Sequence, residues 1–419
     1  MLFRSAEAYA RAIAYGNAKW AALSAAGVQF IPADLTSLFR FVSTNPAMFG
    51  FTPTSVLASN APSPVAALVT SWADITPLQM QSYLFIDGKH LTTAGQQIEA
   101  DYEYSLLMAP GLMSLLAEGP LQSGLTRAAT IQGQIDLSDR NRGPNGINIW
   151  AGGDVSNLQL KNSSGFSDAS GIPFSGSVGV DYKTSFGLTI GAAFSAGRHT
   201  PDFSQRAGHY SQTEQVFSLY TAYKLEPVWA NLVASYGLHQ DKITRNVPLG
   251  IFNDQNTANT SGDSMGLALR IGGDLKWGPV TTGPVAGLVV QRVNVKEFTE
   301  SGLSGVTALS FGEQNRDSLI SQLGLRVLVD LWKFQPFAEA KWNHEFVDSP
   351  RKVRTSLTTT IAPSYYMDAV PVSTDWGTVS LGTSFKASDR VMLRLSLFSM
   401  VGNTQMVNYG ADLGVNFSF

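Results

Sequence analysis

The sequence contains no cysteine among its 419 residues, and only 15% of the residues are charged. Without cysteine, disulfide bonds, cysteine-ligated zinc and a cysteine nucleophile are all excluded. The formal net charge of −3 provides no large basic surface, so we expect no nucleic-acid partner. An apolar run of about 18 residues is also absent, so no transmembrane helix is expected. Such a chain crosses a membrane only as a closed barrel, which satisfies every backbone polar group internally.

The beginning of the chain lacks the features of a secretory signal. Its first ten residues, MLFRSAEAYA, contain no continuous apolar region and no small-residue cleavage site. A protein of the outer membrane needs such a signal to leave the cytoplasm. If the chain belongs to that membrane, we expect its natural precursor to be longer, or the reading frame to be a remnant.

Residues 1–109 combine helical segments with short apolar ones. Residues 6–26 are rich in alanine, lack proline and end at Gly27, which favours a helix. Helices are also predicted for residues 35–42 and 92–108, and buried strands for residues 28–34 and 82–86. Helices between short apolar strands indicate an α/β layer. Residues 110–137 follow as a linker with a helical bias.

After Asn145 the pattern has a period of two. In the last segment Leu413, Val415 and Phe417 share one face, while Asp412 and Gly414 share the other. Twelve such segments are predicted as strands, at residues 146–160, 172–184, 186–198, 208–224, 227–243, 260–277, 280–298, 314–332, 334–349, 372–387, 389–401 and 405–419. An even number is what a bacterial outer-membrane barrel requires. Longer polar stretches, at residues 199–207, 244–259, 299–313 and 350–371, are predicted as extracellular loops, and the strands around them could extend beyond the membrane.

The polar face of these strands decides between two interpretations. It mixes glycine, serine and asparagine with charged residues such as Arg270, Asp274, Arg326 and Arg394. A wet lumen with lipid outside accommodates that face, whereas a soluble β-sandwich or lipocalin-like barrel, the alternative, needs a large apolar interior. Aromatic residues near strand ends predict interfacial girdles, namely Trp277, Trp332, Phe334, Phe337, Trp342, Trp376 and Phe419.

Residues 127–419 resemble the translocator domain of autotransporters, the type V secretion family. The resemblance lies in residues 336–346 (PFAEAKWNHEF), residues 376–385 (WGTVSLGTSF) and the closing GVNFSF, together with the strand count. It implies a monomeric barrel in outer-membrane lipid that is delivered by periplasmic chaperones, inserted by the barrel-assembly machinery, and exports its own N-terminal passenger. It also implies a helix that plugs the pore. The Gly-, Ala-, Ser- and Gln-rich residues 123–134 suit that role, and a surface linker is the alternative.

Residues 83–95 (YLFIDGKHLTTAG) place an Asp-x-x-His pair between a predicted strand and a helix. In an acyl-transfer triad, His90 would take the proton of a serine nucleophile and Asp87 would orient the imidazole. The segment resembles the last block of GDSL (SGNH) esterases, and residues 45–52 (NPAMFGFT) resemble a stretch of autotransporter esterases. Leu91 stands where that family usually has proline. The alternative is a helix-capping aspartate beside a surface histidine.

The serine nucleophile of such a triad is missing from the sequence. No Gly-Asp-Ser-Leu block and no Gly-x-Asn-Asp block is present. Residues 152–156 (GGDVS) look similar but are interpreted as barrel wall, too distant to supply a reacting group. The remaining histidines, His199, His209, His239 and His344, lack ligand spacing, so neither a metal nor another cofactor is expected.

The predicted architecture is an all-β transmembrane barrel of about twelve antiparallel strands with a lumen helix, preceded by a truncated α/β fragment. Residues 1–109 are assigned to the C-terminal part of an esterase-like passenger, residues 110–137 to the linker and pore helix, and residues 138–419 to the barrel. The predicted function is export and anchoring of the passenger, by a chain that is itself inactive as an esterase. Two alternatives remain: part of an active surface esterase with its upstream half elsewhere, and a porin-like channel.

Overall fold

The computed structural model describes residues 6–51, 75–86, 90–140, 146–161 and 168–419. Among these residues, five α-helices precede the strands: α1 Ala6–Ala25, α2 Leu35–Thr44, α3 Pro77–Ser82, α4 Thr93–Ser114 and α5 Glu118–Arg140. A 3₁₀ turn follows α2 at Pro46–Phe49, and another joins α4 to α5 at Leu115–Ala117. In this part of the chain, no helix is both long enough and apolar enough to cross a bilayer.

Twelve long strands form a closed antiparallel barrel. They are β1 Gly146–Leu160, β2 Phe174–Lys183, β3 Leu188–His199, β4 Gly208–Leu225, β5 Val228–Leu249, β6 Phe252–Gly273, β7 Val280–Val295, β8 Gln314–Val329, β9 Phe334–Glu345, β10 Asp375–Lys386, β11 Val391–Val401 and β12 Met406–Ser418. Each strand pairs with the next, and β12 pairs with β1 from Ser418 opposite Asn148 to Met406 opposite Leu160. The predicted twelve-stranded barrel is confirmed.

The two ends of the barrel differ. At the turn end, short connections such as residues 184–187, 226–227 and 330–333 join the strands. At the loop end most connections are longer, and two of them carry short strands that form a separate small sheet, Phe298–Thr299, Leu309–Phe311, Lys352–Leu357 and Tyr365–Asp368. Helix α5 ends at the turn end, directly before β1, so α4 lies towards the loop end.

Alternation of side chains separates lipid from lumen, as predicted. On the outside, Leu219, Leu267 and Leu325 are exposed, whereas on the inside Arg270 and Arg326 are buried. Because successive side chains of a strand point to opposite faces, one residue pattern serves both environments. The soluble sandwich alternative is therefore wrong, since the apolar face points outward.

The alternation reverses in the outer part of β5 and β6. Beyond Leu238, towards the loop end, the outward positions of β5 become polar, beginning with Gln240 and Lys242. On the opposite face, the apolar residues Ile243, Val247 and Leu249 point inward and are buried. The predicted loop 244–259 is thus wrong, because the two strands continue to a two-residue turn at residues 250–251. Sequence analysis left such an extension open but did not locate it, because reversed polarity interrupts the lipid-facing pattern.

Two predicted aromatic positions are also corrected. Trp277 and Trp332 are exposed at the turn end, where an interfacial girdle needs them. Trp376, however, is buried among residues lining the lumen. Phe337 also contributes to the lumen, since the Arg394 guanidinium lies over its ring at 4.8 Å. Aromatic type alone does not specify the face of a strand.

The N-terminal helices are confirmed, but the strands predicted beside them are wrong. Residues 28–34 have no regular structure, and Tyr83–Ile86 contributes only one bridge, between Phe85 and Leu91. A strand needs a neighbouring strand to satisfy its backbone groups, and none of the described N-terminal residues provides one. Leu84 and Ile86 are buried, and Ile31 and Phe85 are partly buried against the core that the helices share with the barrel, whereas Val28 is exposed.

The outward-facing apolar residues of the strands, which we call the lipid-facing band, allow a prediction about the stability of the barrel. Replacing Leu269, which faces outward in β6, with arginine is expected to destabilise the membrane-inserted barrel by about 2–4 kcal/mol, because a cation near the bilayer midplane is desolvated. The matched change Asn259→Arg, on the outward face of the same strand but in its polar extension, is expected to have little effect. Denaturant titration of the barrel folded in lipid vesicles compares the two. Equal losses would show that the band is misplaced.

Candidate functional site

The candidate functional site is the lumen, which helix α5 occupies. Ile131 and Ile135 on the helix pack in one cluster with Trp150, Tyr220 and Val233 of the wall. Only one 3₁₀ turn separates α5 from α4, so residues 93–140 run as a nearly continuous helical segment. The prediction that the linker is a helix in the pore is confirmed, and the alternative of a surface linker is wrong.

Small residues let the barrel wall approach the helix backbone. A Cβ atom at Gly133 would overlap the guanidinium of Arg394, and one at Gly124 would overlap the amide of Gln291. The Gln291 amide donates to the carbonyl of Leu121 at 3.1 Å. The glycine-rich composition of residues 123–134 is therefore a packing requirement of a narrow lumen.

Two prolines interrupt the helical segment, and the barrel satisfies the carbonyls they release. A proline within a helix removes the hydrogen bond to the carbonyl four residues earlier. For Pro110 that carbonyl belongs to Leu106, which accepts from the Tyr365 hydroxyl at 2.9 Å. For Pro120 it belongs to Leu116, which accepts from the Gln212 amide at 3.0 Å. One released carbonyl is thus bonded by a residue of the small loop-end sheet and the other by a residue of the barrel wall.

Charged pairs fix the position of the half of α5 nearer the loop end. Glu118, which is 2% exposed, contacts Arg316 at 3.2 Å and Arg351 at 2.6 Å. Arg127 lies nine residues further along and donates to Glu214 at 2.7 Å. Buried charges are tolerated only when paired, so each of these helix positions requires its own partner on the wall.

Charged pairs also fix the half of α5 nearer the turn end. Asp136, nine residues beyond Arg127, contacts Arg270 at 3.0 Å and Arg326 at 3.6 Å. Asp139 contacts Lys183 at 2.9 Å and Lys224 at 2.6 Å. The helix thus presents negative, positive and negative charge at steps of about 13.5 Å, and the wall presents the complement. Sliding the helix by one step together with a half turn about its axis would bring like charges together, so the pattern specifies one position of the helix in the lumen.

At the loop end the N-terminal helices and the barrel share one hydrophobic core. Its members include Leu38, Ile98 and Leu106 from the helices, with Val247 and Leu249 from the extended part of β5. The turn between β5 and β6 is fixed by a hydrogen bond from the Gly250 amide to the Asp101 carboxylate at 2.8 Å. Phe252, just beyond it, lies 5.1 Å from Phe49, measured between ring centroids. The reversed strands therefore cover the helices.

Two buried tyrosines, both outside the lipid-facing band, complete this core. Burial raises the pKa of Tyr102 and of Tyr365 far above the ordinary value, so both hydroxyls stay protonated. The Tyr102 oxygen accepts from the Asp34 amide at 3.2 Å. One Asp34 carboxylate oxygen also accepts from the Ser37 amide at 3.0 Å and caps α2.

The candidate triad residues are only partly described. Asp87 lies outside the described residues, so the structure gives no Asp87–His90 geometry. His90 is exposed, and its carbonyl accepts from the Ile86 amide at 2.8 Å. Thr92 caps α4 by accepting from the Gly95 amide at 3.2 Å. His90 thus immediately precedes a capped helix, as expected, and its catalytic role remains a prediction.

The other residues considered from the sequence belong to the barrel. Ser156 is buried in β1, as expected of barrel wall. His239 is buried and contacts Asp241 at 2.9 Å, while His344 contacts Asp375 at 2.9 Å near the loop end. Among the described residues, no group of three or more acidic or histidine side chains forms a metal site.

The charged residues of α5 were not recognised from the sequence. Glu118, Arg127 and Asp136 repeat at nine residues in a segment otherwise rich in small side chains. That repeat was the available signal. Their partners come from β4, β6 and β8, and from the loop that contains Arg351, so no local sequence pattern connects them.

Comparison with known proteins finds relatives that cover most of the chain, the N-terminal region as well as the barrel. Lipase 1 of Photorhabdus luminescens is 26% identical over 406 residues, which cover 95% of this chain and 59% of that protein. Esterase EstA of Pseudomonas aeruginosa is 27% identical over 391 residues, which cover 89% of this chain and 59% of that protein. The chain thus spans about three-fifths of the length of these relatives.

The barrel matches both a solved structure and a family. The translocator domain of autotransporter NalP from Neisseria meningitidis superposes with a TM-score of 0.55 at 16% identity, covering 71% of this chain and 98% of that one. This similarity shows the fold. Residues 149–397 match the family described as Autotransporter beta-domain. Because the match covers more than half of the chain, the protein belongs to the autotransporter family, and its barrel is an outer-membrane translocator domain.

Proposed function

We propose that this chain is a translocator in its closed, post-export state, which holds the end of an esterase-like passenger at the cell surface. The observation that carries the proposal is the charge-matched helix α5 in the lumen, continued by α4 into the core at the loop end. A helix in this position closes the path through which a passenger would pass. We assign the loop end to the cell surface and the turn end to the periplasm.

The proposed organisation keeps three regions. Residues 1–109 are the C-terminal part of the passenger, residues 110–137 are the linker and pore helix, and residues 138–419 are the barrel. As expected for autotransporters generally, insertion involves the barrel-assembly machinery. We further propose that periplasmic chaperones deliver the chain, that the barrel lies in outer-membrane lipid, and that it is a monomer. The lipid-facing band supports the lipid contact.

The orientation is tested by surface labelling of intact cells that express the chain behind a secretory signal. A short epitope inserted at residues 250–251 is expected to bind antibody on whole cells. The same epitope inserted at residues 278–279, in a turn at the opposite end, is expected to bind only after the outer membrane is permeabilised. Labelling of the second variant on intact cells would contradict the assignment.

We further propose that Asp87 and His90 are two members of an esterase triad whose serine lies outside this chain. The support is their resemblance to GDSL esterases and the names of the two relatives, a lipase and an esterase. The folded chain alone is expected to hydrolyse p-nitrophenyl butyrate no faster than its His90→Ala variant, because a triad without a nucleophile gives no acyl-enzyme. Turnover that disappears with His90→Ala would contradict this expectation.

A second candidate function is an active surface esterase that is completed by further polypeptide upstream. It is favoured by one observation: the chain spans 59% of the length of its esterase-named relative. Joining the upstream region of such a relative to this chain is expected to restore ester turnover. His90→Ala and Asp87→Ala should each abolish the restored turnover, whereas Lys89→Ala, between them, should retain it. The porin-like alternative is disfavoured by the paired charges that hold α5 in the lumen.

A further inference from the structure

Three polar residues lie side by side on the outer wall of the barrel near the loop end. In the register of the strands, Ser321 of β8 is directly opposite His344 of β9, and His344 is directly opposite Asp375 of β10. The strand neighbours Ile320 and Glu345 are buried inside the barrel, so Ser321 and His344 point outward. A serine, a histidine and an aspartate therefore share one outer face on adjacent strands.

The aspartate of this group holds the imidazole of the histidine. Nδ1 of His344 lies 2.9 Å from Oδ1 of Asp375, and the Thr374 hydroxyl donates to the other carboxylate oxygen at 2.9 Å. An ionised carboxylate accepts a proton from Nδ1, which leaves Nε2 of the neutral ring without one. Nε2 of His344 is therefore free to act as a base.

Aromatic residues on the same strand orient the imidazole ring. The rings of Trp342 and Phe346 lie 5.7 and 4.6 Å from that of His344, measured between centroids, and the Trp342 plane is tilted by 32° from it. A ring stacked along β9 directs its edges across the strands. One edge carries Nδ1 and contacts Asp375, so the edge that carries Nε2 faces β8, where Ser321 is the paired residue.

Ser321 is a hydroxyl residue in an apolar surrounding. Its neighbours on the outer face of β8 are Leu319 and Leu323, and the residue opposite it on β7 is Leu288. The Cβ atoms of directly opposed residues in antiparallel strands are about 4.5–5.5 Å apart. Rotation of the serine side chain therefore brings its Oγ within reach of Nε2 of His344, directly or through one water molecule.

The three residues lie at the height of the ester groups of membrane lipids. Four residues from Ser321 towards the turn end, Leu325 is exposed in the lipid-facing band. Four residues towards the loop end, Asp317 forms an exposed ion pair with Arg292. Trp342, exposed beside the site, is a residue type that favours the headgroup level. Acyl esters of phospholipids lie at this boundary between hydrocarbon and headgroups, where water is also present.

We propose that Ser321, His344 and Asp375 form an ester-hydrolysing site on the outer wall of the barrel, with the acyl esters of membrane phospholipids as substrates. Ser321 Oγ attacks the acyl carbon while its proton passes to Nε2 of His344, and Asp375 stabilises the imidazolium. The glycerol oxygen leaves with that proton. Water then adds to the acyl-serine, again through His344, and releases the fatty acid and the free serine.

Turnover at this site is slow. The backbone N–H groups of Ser321 and His344 belong to the strand ladder, so interfacial water, and not a fixed pair of donors, must stabilise the oxyanion. A positioned base alone contributes about 10²–10⁴-fold. The site does not involve residues 1–109. Its assignment to the outer leaflet rests on the orientation proposed above, whereas the hydrolysis itself does not.

The test is fatty-acid release from phosphatidylcholine vesicles that contain the folded full chain, measured by mass spectrometry. We expect release about 100-fold above that of protein-free vesicles. Ser321→Ala should abolish it, and His344→Gln and Asp375→Asn should each reduce it at least about tenfold. Ser399→Ala removes an outward-facing serine of β11 that has no histidine opposite it, and should leave the release unchanged.

A long-chain alkyl fluorophosphonate provides a second readout, because it reacts with an activated serine and not with a merely exposed one. We expect its adduct on the peptide that contains Ser321, and no adduct in His344→Gln. His90→Ala, in the triad proposed for the passenger, should change neither readout. Release that persists in Ser321→Ala, an adduct absent from Ser321, or release that disappears in His90→Ala would each overturn the proposal. Heat-modifiable migration confirms that every variant is folded.

Discussion

Replacing Asp136 with arginine is expected to open the translocator pore. The change places a third cation beside Arg270 and Arg326 and removes the carboxylate that both contact. Breaking a buried ion pair costs about 3–5 kcal/mol, which corresponds to at least a hundredfold shift towards the displaced helix. Bilayer recordings should then show a large conductance state that the unchanged chain lacks, and added protease should cleave within residues 118–140.

The same ion pairs predict a smaller effect for a milder substitution of Asp136. Asp136→Asn is expected to have a smaller effect, because Arg270 retains Glu339 and Arg326 retains Asp274 as partners. Asp389→Arg, a charge reversal at a 97% exposed turn position, serves as the control and should leave the pore closed. If Asp136→Arg leaves both conductance and protease resistance unchanged, the ion pairs do not hold the helix.

Replacing Leu249 with aspartate is expected to release the N-terminal helices while the barrel stays folded. Leu249 is fully buried in the core that α4 shares with the reversed part of β5. A carboxylate there loses its hydration without gaining a partner, and we expect a penalty of at least about 3 kcal/mol. Limited proteolysis should then remove residues 35–114 rapidly and leave a heat-modifiable barrel fragment.

The control for this variant is the neighbouring residue. Pro248 is exposed on the outer face of the same strand, so Pro248→Asp should keep the helices protected. Loss of protection in both variants would indicate general damage to the hairpin. Persistence of protection in Leu249→Asp would mean that the shared core does not hold the helices.

The barrel was predictable because lipid imposes a simple rule on its strands. Residues such as Leu267 and Arg270 must face opposite environments, and period-two alternation records this locally. Most strand boundaries therefore agreed within a few residues. Strands β5 and β6 were the exception, since their outer parts face water outside and an apolar core inside. Period two persists there, but the side that carries the apolar residues changes.

The interior of the lumen was less predictable. That residues 110–137 form a helix followed from composition, but the contacts of this helix with Arg270, Glu214 and Arg316 join positions far apart in the chain. The strands predicted at residues 28–34 and 82–86 failed for a related reason. Apolar composition indicates burial, and only a neighbouring strand turns a buried segment into part of a sheet.

The seam between β1 and β12 imposes an order on assembly. It pairs Asn148 with Ser418 and ends in a hydrogen bond from the Phe419 amide to the Ile147 carbonyl at 3.0 Å. These partners are separated by most of the barrel sequence, so this contact carries the largest loop-closure cost and is expected to form late. Until it forms, β1 and β12 are open edges that attract other strands. Since α5 directly precedes β1, the step that removes these edges is also the step that encloses whatever lies in the lumen.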